Sequence, residues 1–349
     1  MPNLLASRVG RLTAFSLLYV SEGLPQGFAL QAVTVQMRRI GLGTAEVGAF
    51  AGVILLPWAW KWAVGPVVDL FYVDRLGRRR AWIVACQLLM ALTILAAWPV
   101  NMTSQLNLFA ALLIVHNVFA ATQDVAIDAL AVTALREDER GLAGGLMFAG
   151  AYTGTAIGGA TLYLADWVGF SWAFPATAGS ILAITAGVTL WLREPRTPPA
   201  SAQSQPQPAP SPTVPPELAA SPAGPAVLEY RHEEQPGRFS AATREVAGYA
   251  ATAAKAMFGS RAAVAGLIFA LLPAGAMALS SALAQTLQVD LGLSDNTIAT
   301  LGLVGSIVAA GGCVLGGWVS DRIGRRPTLS ACVVLTAVPT AVMALGMWR

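Results

Sequence analysis

Long apolar runs separated by short polar or glycine-containing breaks fill the chain, except between residues 193 and 260. A helix needs about 20 mainly apolar residues to cross roughly 30 Å of hydrocarbon. Nine runs reach that length: 12–37, 45–70, 81–100, 106–134, 141–165, 170–192, 262–288, 295–319 and 327–348. They are too long and too evenly apolar for barrel strands, which alternate over about ten residues. The pattern therefore predicts an all-α, polytopic membrane helix bundle with about nine spans. Prolines crowd the interruption among Ala, Ser and Gln, the composition of an extended tether. Residues 237–258 could form an amphipathic helix along the membrane surface, with Arg244 and Lys255 toward headgroups. The expected organisation is a six-helix bundle over 1–192, a cytoplasmic Pro-rich linker over 193–260 and three further helices over 261–349.

Composition narrows the function classes. Hydrophobic residues make up 55% of the 349 and charged residues only 12%, against about a quarter charged in soluble domains. The lipid bilayer is thus a partner of the chain. Lys plus Arg number 22 against 19 acidic residues, a net +3 that points to no nucleic acid. Most basic residues lie on one side if the N-terminus is cytoplasmic, the orientation that the positive-inside bias predicts, while Arg38 and Arg39 fall on the other. Cys86, Cys313 and Cys332 sit singly in apolar sequence, so neither a disulfide framework nor a metal site is expected, and no cofactor is indicated. The first apolar run is too long for a signal-peptide core and reads as a spanning helix.

Two loops match. Asp74-Arg75-Leu76-Gly77-Arg78-Arg79-Arg80 follows the second run and Asp321-Arg322-Ile323-Gly324-Arg325-Arg326-Pro327 follows the eighth. Each joins the second and third helix of a half, so the chain repeats with parallel topology. A carboxylate beside clustered arginines can cap helix ends and form ion pairs that break when the halves rock, and glycine permits the tight turn. Asp69, Asp74, Arg75, Gly77, Arg78, Arg79, Arg80 and Asp128, with Asp321, Arg322, Gly324, Arg325 and Arg326, form the expected cytoplasmic gate.

Ionisable groups at membrane depth cost about 2.5–3.5 kcal/mol on insertion scales, so each needs a partner, a wet cavity or a task. At about 1.5 Å per residue, Glu22 and His116 fall near the midplane, and Lys61 and Asp124 in the inner half. Glu22 and His116 are expected to face a central cavity and Lys61 to pair with Asp124 or reach Glu22. Asp128 and Asp69 are expected to meet Arg78 to Arg80. Asn117, Asp124 and Asp128 are spaced for one helix face. Gln123, Trp58 and Trp62 complete the candidate proton and substrate pathway, with the tryptophans as a wall for a sugar or for lipid packing. A membrane enzyme using His116 with Asp124 is the rival reading, but no nucleophile adjoins them.

The Gly-x-x-x-Asp-Arg-x-Gly-Arg-Arg pattern of Gly317 to Arg326 resembles the loop signature of the major facilitator superfamily. Gly65 to Arg80 carries an expanded copy. With Ser21-Glu22-Gly23-Leu24-Pro25, Lys61-Trp62 and the Ala121 to Asp128 segment (ATQDVAID), the chain is similar to the AmpG-like muropeptide permease branch, near acetyl-CoA and siderophore transporters. The resemblance implies alternating access, proton-coupled uptake of a small-molecule solute of the anhydro-muropeptide class, and a bacterial inner-membrane location. It also implies twelve spans, so the last three-helix unit is expected to be missing; the alternatives are a siderophore or acetyl-CoA transporter of the same branch, or a non-transporting truncated remnant. The fifth span reads Gly150, Gly154, Gly158 and Gly159 with Thr155 where the family's antiporter signature has proline; close helix packing explains these glycines.

Overall fold

The computed structural model describes residues 3–70, 77–194 and 284–347, with isolated positions between 248 and 264. Among these residues every regular element is helical. The linker, the proposed surface helix and most of the seventh span lie outside them, although residues 284–290 are helical.

Helix α1 (Arg8–Gly27) opens on Ser7, whose hydroxyl accepts from Gly10 N–H at 3.0 Å. Pro25 lies inside it, and the N–H of Phe28 is shared between the carbonyls of Leu24 and Pro25. The winding then widens to a π-helical stretch, Phe28–Val33, before α2 (Thr34–Arg39) completes the crossing. Pi turns accommodate such a disturbed hydrogen-bond ladder.

The second crossing departs from the single helix expected over 45–70. It consists of α3 (Thr44–Ile54), α4 (Leu56–Ala59), a 3-10 turn Lys61–Ala63 and α5 (Gly65–Leu70). Pro57 and Pro66 lack amide donors and Gly65 gives little helical preference, so the run is apolar throughout but not continuously helical. Broken backbone at membrane depth is tolerated where protein or a wet cavity covers it.

The remaining helices follow the apolar runs closely: α6 (Arg80–Ala97), α7 (Leu106–Ala134), α8 (Arg140–Ala160), the short α9 (Tyr163–Trp167), α10 (Ala173–Gly187), α11 (Asp295–Ile323) and α12 (Arg325–Met347). Four uninterrupted stretches among the described residues are long and apolar enough to cross a membrane: Arg80–Ala97, Leu106–Ala134, Phe170–Trp191 and Asp295–Ile323. Trp82 and Trp98, near the two ends of α6, stand roughly 24 Å apart along its axis at about 1.5 Å per residue, a spacing suited to interfacial aromatic belts. Leu88, Leu92 and Leu95 between them are exposed, as are Leu301, Val304, Ile307 and Val308 of α11. Such faces are stable against lipid.

Lipid tails are as apolar as leucine, so close packing, hydrogen bonds and lipid entropy hold the helices together. Helices α1 and α8 meet backbone to backbone. A methyl at Gly154 would stand 2.8 Å from Leu24 N, and one at Gly27 2.7 Å from the Thr155 carbonyl carbon. Helix α11 rests on α8 in the same manner, with Gly145 facing Cys313 and Gly317. Two apolar clusters fill the spaces left. Phe28, Phe50, Phe109 and Phe174 pack at one end, and Phe15, Leu18, Ile83, Ile127 and Leu130 at the other. The polar site lies along α7, with the first two crossings facing it.

Candidate transport site

Five polar residues of α7 are buried: Thr122, whose hydroxyl donates to the Val118 carbonyl of its own helix, and His116, Asn117, Gln123 and Asp124, which face other crossings. The interrupted second crossing supplies their partners. Because the chain leaves α4 through a 3-10 turn, Lys61 projects at α7 and its ammonium reaches Asp124 Oδ2 at 2.7 Å. Asp124 is 4% exposed and Lys61 43%, so the carboxylate is sealed while the amine borders open space. One turn earlier, Trp58 Nε1–H donates to Asn117 Oδ1 at 2.9 Å, and Asn117 Nδ2 donates to the Leu113 carbonyl at 2.8 Å. The Lys61 ammonium stands 5.8 Å from the Trp58 ring centre, within cation–π range.

Glu22 of α1 lies within electrostatic reach of both Lys61 and Asp124. Its Oε2 is enclosed and has no hydrogen-bond partner among the described residues. His116 Nδ1 lies 3.1 Å from the Met90 carbonyl and 3.1 Å from Thr93 Oγ1. The Thr93 hydroxyl donates to backbone carbonyls, so the proton between the ring and Met90 sits on Nδ1, leaving Nε2 as an acceptor. That Nε2 is also buried without a partner. Glu22, Trp58, His116 and Asn117 line one small cavity with Ile54 and Leu55, large enough for about one water. His116 and Asp124, the pair of the enzyme reading, are engaged separately, one with α6 and the other with Lys61.

A second polar cluster had no sequence forecast beyond Gln123. Ser21 Oγ accepts from Gln87 Nε2 at 3.0 Å and Gln123 Nε2 at 3.1 Å, and donates to the Leu18 carbonyl. Gln87 Oε1 accepts from Thr189 Oγ1 at 2.8 Å. Four crossings are thereby tied at one buried point. The available signal was Gln87 itself, an amide inside an apolar run.

At the end bearing the repeated loops, Gly77 and Gly324 both have φ of +94°, a matching left-handed turn that side chains resist. Glu194 accepts from the backbone N–H groups of Arg79 and Arg80 and so caps the start of α6. Asp128 was expected to face Arg78 to Arg80. Its carboxylate instead accepts from Tyr19 O–H at 2.6 Å, because this level of α7 faces α1. The buried ion pair at this end is one the sequence did not suggest. Arg11 donates from Nε and Nη2 to the two oxygens of Glu139 at 2.6 and 2.9 Å, and Arg136 N–H adds a third bond. The Arg11 hydrogen bond holds the Glu139 carboxyl below its ordinary value. Asp321 lies over Gly141 at the start of α8, where a methyl group would collide with its carboxylate. Arg322 stacks on Trp318, 4.0 Å from the ring centre, and Arg326 is exposed. Asp74 and Arg75 lie outside the described residues, as do the side chains of Trp62, Asp69 and Arg325.

The opposite end carries a clasp between the first crossing and the segment leading into α11. Arg38 meets Asp290 at 2.7 Å and Arg39 meets Asp295 at 2.9 Å. Arg39 also bonds the Leu293 carbonyl, and Tyr163 and Thr300 share a hydrogen bond nearby.

An apolar helical bundle with a buried Lys61–Asp124 pair on one inward helix face, and ion pairs joining its helices at both ends, has the form of a multi-pass membrane transporter. The Major Facilitator Superfamily profile matches residues 15–349, and the chain belongs to that family. The anhydromuropeptide permease of Escherichia coli K12 is 29% identical over 161 residues, 45% of this chain and 33% of that protein. A Rickettsia conorii protein called AmpG 4 is 29% identical over 182 residues, 51% of this chain and 44% of its own length. An uncharacterised Haemophilus influenzae protein is 32% identical over 181 residues, 50% and 41% respectively. The matched segments thus span less than half the length of these relatives.

Proposed function

We propose that the chain is a proton-coupled importer of the bacterial inner membrane, working by alternating access on an anhydro-muropeptide or related sugar-peptide. The observation that carries this reading is the convergence of Glu22, Lys61 and Asp124 from three crossings on one polar interior. A protonated Glu22 leaves Lys61 with Asp124. An ionised Glu22 competes for the ammonium, loosening its pair with α7 and coupling proton release to helix movement. The E. coli relative's name supports the solute class. The N-terminus faces the cytoplasm, residues 1–192 act as one bundle with 193–260 as its tether, and residues 261–349 belong to the opposing half. The DRxGRR turns then lie at the inner gate and the Arg38–Asp290 and Arg39–Asp295 clasp at the outer one.

Uptake into proteoliposomes tests the reading, using labelled anhydro-muropeptide, a siderophore and acetyl-CoA with and without an inward proton gradient. Gradient-driven accumulation of the first alone is the expected result. Glu22→Gln should weaken accumulation more than equilibrium binding, and equal loss of both rejects Glu22 as the carrier.

A further inference from the structure

The small cavity beside Glu22 is evenly matched in hydrogen-bond donors and acceptors. Two acceptors in its wall are enclosed without a partner: His116 Nε2, on a residue only 2% exposed, and Glu22 Oε2. Because Nδ1 is held on the α6 side by Met90 and Thr93, Nε2 points the other way, toward the cavity that His116 lines. Two donors share the wall. Asn117 Nδ2 uses one hydrogen on the Leu113 carbonyl and keeps a second, and the Gln26 amide borders the same space. The rest of the lining is apolar, apart from the Trp58 indole N–H, which is engaged by Asn117 Oδ1. Water has two hydrogens and two lone pairs, so one molecule in a space of about its own size answers all four groups. Gln26, one turn beyond Glu22 on α1, is exposed, and the cavity wall adjoins open space there.

We propose that this cavity is a site for a single water molecule that passes protons to Glu22, with His116 as the residue that positions it. The inference rests on the transport reading and gives its proton carrier a route of entry. One water O–H donates to His116 Nε2, which turns the other toward Glu22 Oε2. A proton arriving from the outer medium on the Gln26 side binds a lone pair of the water, and the water hands its own proton to the Glu22 carboxylate. The molecule remains water and the carboxylate becomes a neutral carboxylic acid, so nothing else is consumed. The other titratable groups that bear on Glu22 are Lys61 of the second crossing, Asp124 and Asp128 of α7 and Tyr19 of its own helix. None of them lines the cavity among the described residues. The proton thus enters on one side of Glu22 and is felt by the Lys61–Asp124 pair on the other.

Infrared difference spectroscopy of the purified full chain across an acid jump tests the site and needs no solute. The carboxylic band of Glu22 is assigned by its loss in Glu22→Gln. In the wild type a water O–H band should change together with it and should shift when heavy-oxygen water replaces ordinary water. His116→Phe fills the ring volume without an acceptor, and Ala120→Val extends methyl groups into the cavity while leaving Glu22 and His116 in place. Both should erase the water band and slow protonation of Glu22 about a hundredfold, the low end of what a positioned proton transfer contributes. His116→Gln, which places a polar atom near Nε2, should keep the band and much of the rate. A role only in packing predicts the reverse order, because phenylalanine keeps the ring. A wild type with no oxygen-sensitive band overturns the water site, as does a band that survives both His116→Phe and Ala120→Val at an unchanged rate. Gradient-driven uptake that persists in either case leaves the transporter reading standing. If the Glu22 band does not respond to acid, the relay and the carrier role of Glu22 fall together.

Discussion

Replacing Arg38 and Arg39 together with glutamine should open the end of the molecule opposite the DRxGRR turns. Side-chain exposure is 28% for Arg38 and 44% for Asp290, and 32% for Arg39 and 16% for Asp295. Pairs that wet contribute about 0.2–1 kcal/mol each. The bonds of these guanidiniums to the Leu42 and Leu293 carbonyls place both pairs toward the upper part of that range. Removing both should therefore cost the closed form about 1–2 kcal/mol, or roughly a 5- to 30-fold change in the open-to-closed ratio at 1.4 kcal/mol per factor of ten. Spin labels at Ile40→Cys and Leu291→Cys, both exposed positions, report the gap across the clasp. Cys86, Cys313 and Cys332 would first be changed to serine. Pulsed electron-spin distance measurements should show a longer population in Arg38→Gln/Arg39→Gln. Wild type should shift the same way as salt rises, because partly exposed charges are screened over about 8–10 Å at moderate ionic strength. Swapping charges as Arg38→Asp with Asp290→Arg should restore much of the short distance. An identical distance distribution in wild type and double variant, insensitive to salt, would refute the reasoning.

Other consequences are open to measurement. Glu139→Gln removes one partner of a buried bidentate pair and should lower stability by about 3–5 kcal/mol, read as a lower thermal midpoint in detergent. Because the folded Glu139 carboxyl titrates below its unfolded value of 4.5, its stabilisation is complete above that pH and lost as pH falls through the folded value. Acidification below 4.5 should therefore lower the wild-type midpoint more than that of Glu139→Gln. Lys61→Met should lower folded yield more than Lys61→Met with Asp124→Leu, since the single change strands a carboxylate that is 4% exposed; equal loss of folded yield would mean that the lone carboxylate costs nothing. Gly154→Leu should separate α1 from α8 and reduce folded yield, whereas Gly179→Ala, with no heavy atom within 4 Å of the new methyl, should leave yield unchanged.

The helices that the apolar pattern delimits best are those with no proline inside and polar residues at both ends. Helix α7 covers Leu106–Ala134, the span read from the sequence, and α6 and α11 shift their ends by a few residues. The second crossing was misjudged because apolarity alone does not register a missing amide donor, and Pro57 and Pro66 break a run that hydropathy shows as continuous. The polar centre was partly visible, since each intramembrane charge demands company and Lys61 and Asp124 are near in depth. Asp128 was misassigned because spacing along α7 says which residues share a face but not which helix that face meets; Tyr19 supplies the answer. The Ser21–Gln87–Gln123–Thr189 cluster depends on four helices arriving at one point and leaves only an isolated amide as its trace. Arg38 and Arg39 stood out as exceptions to the charge bias, but their partners lie some 250 residues away in sequence.

A methyl built on Gly145 would lie 2.8 Å from the Cys313 carbonyl oxygen, and one on Gly317 3.2 Å from the α-carbon of Gly145. Main chain lies on main chain there, which would leave no rotamers to unlatch if one helix tilted over the other. On the transport reading, such a joint would turn with little friction and little memory of its last position. The preference for either posture must then come from the charged groups at its two rims, and any added branch along the joint would act as a brake.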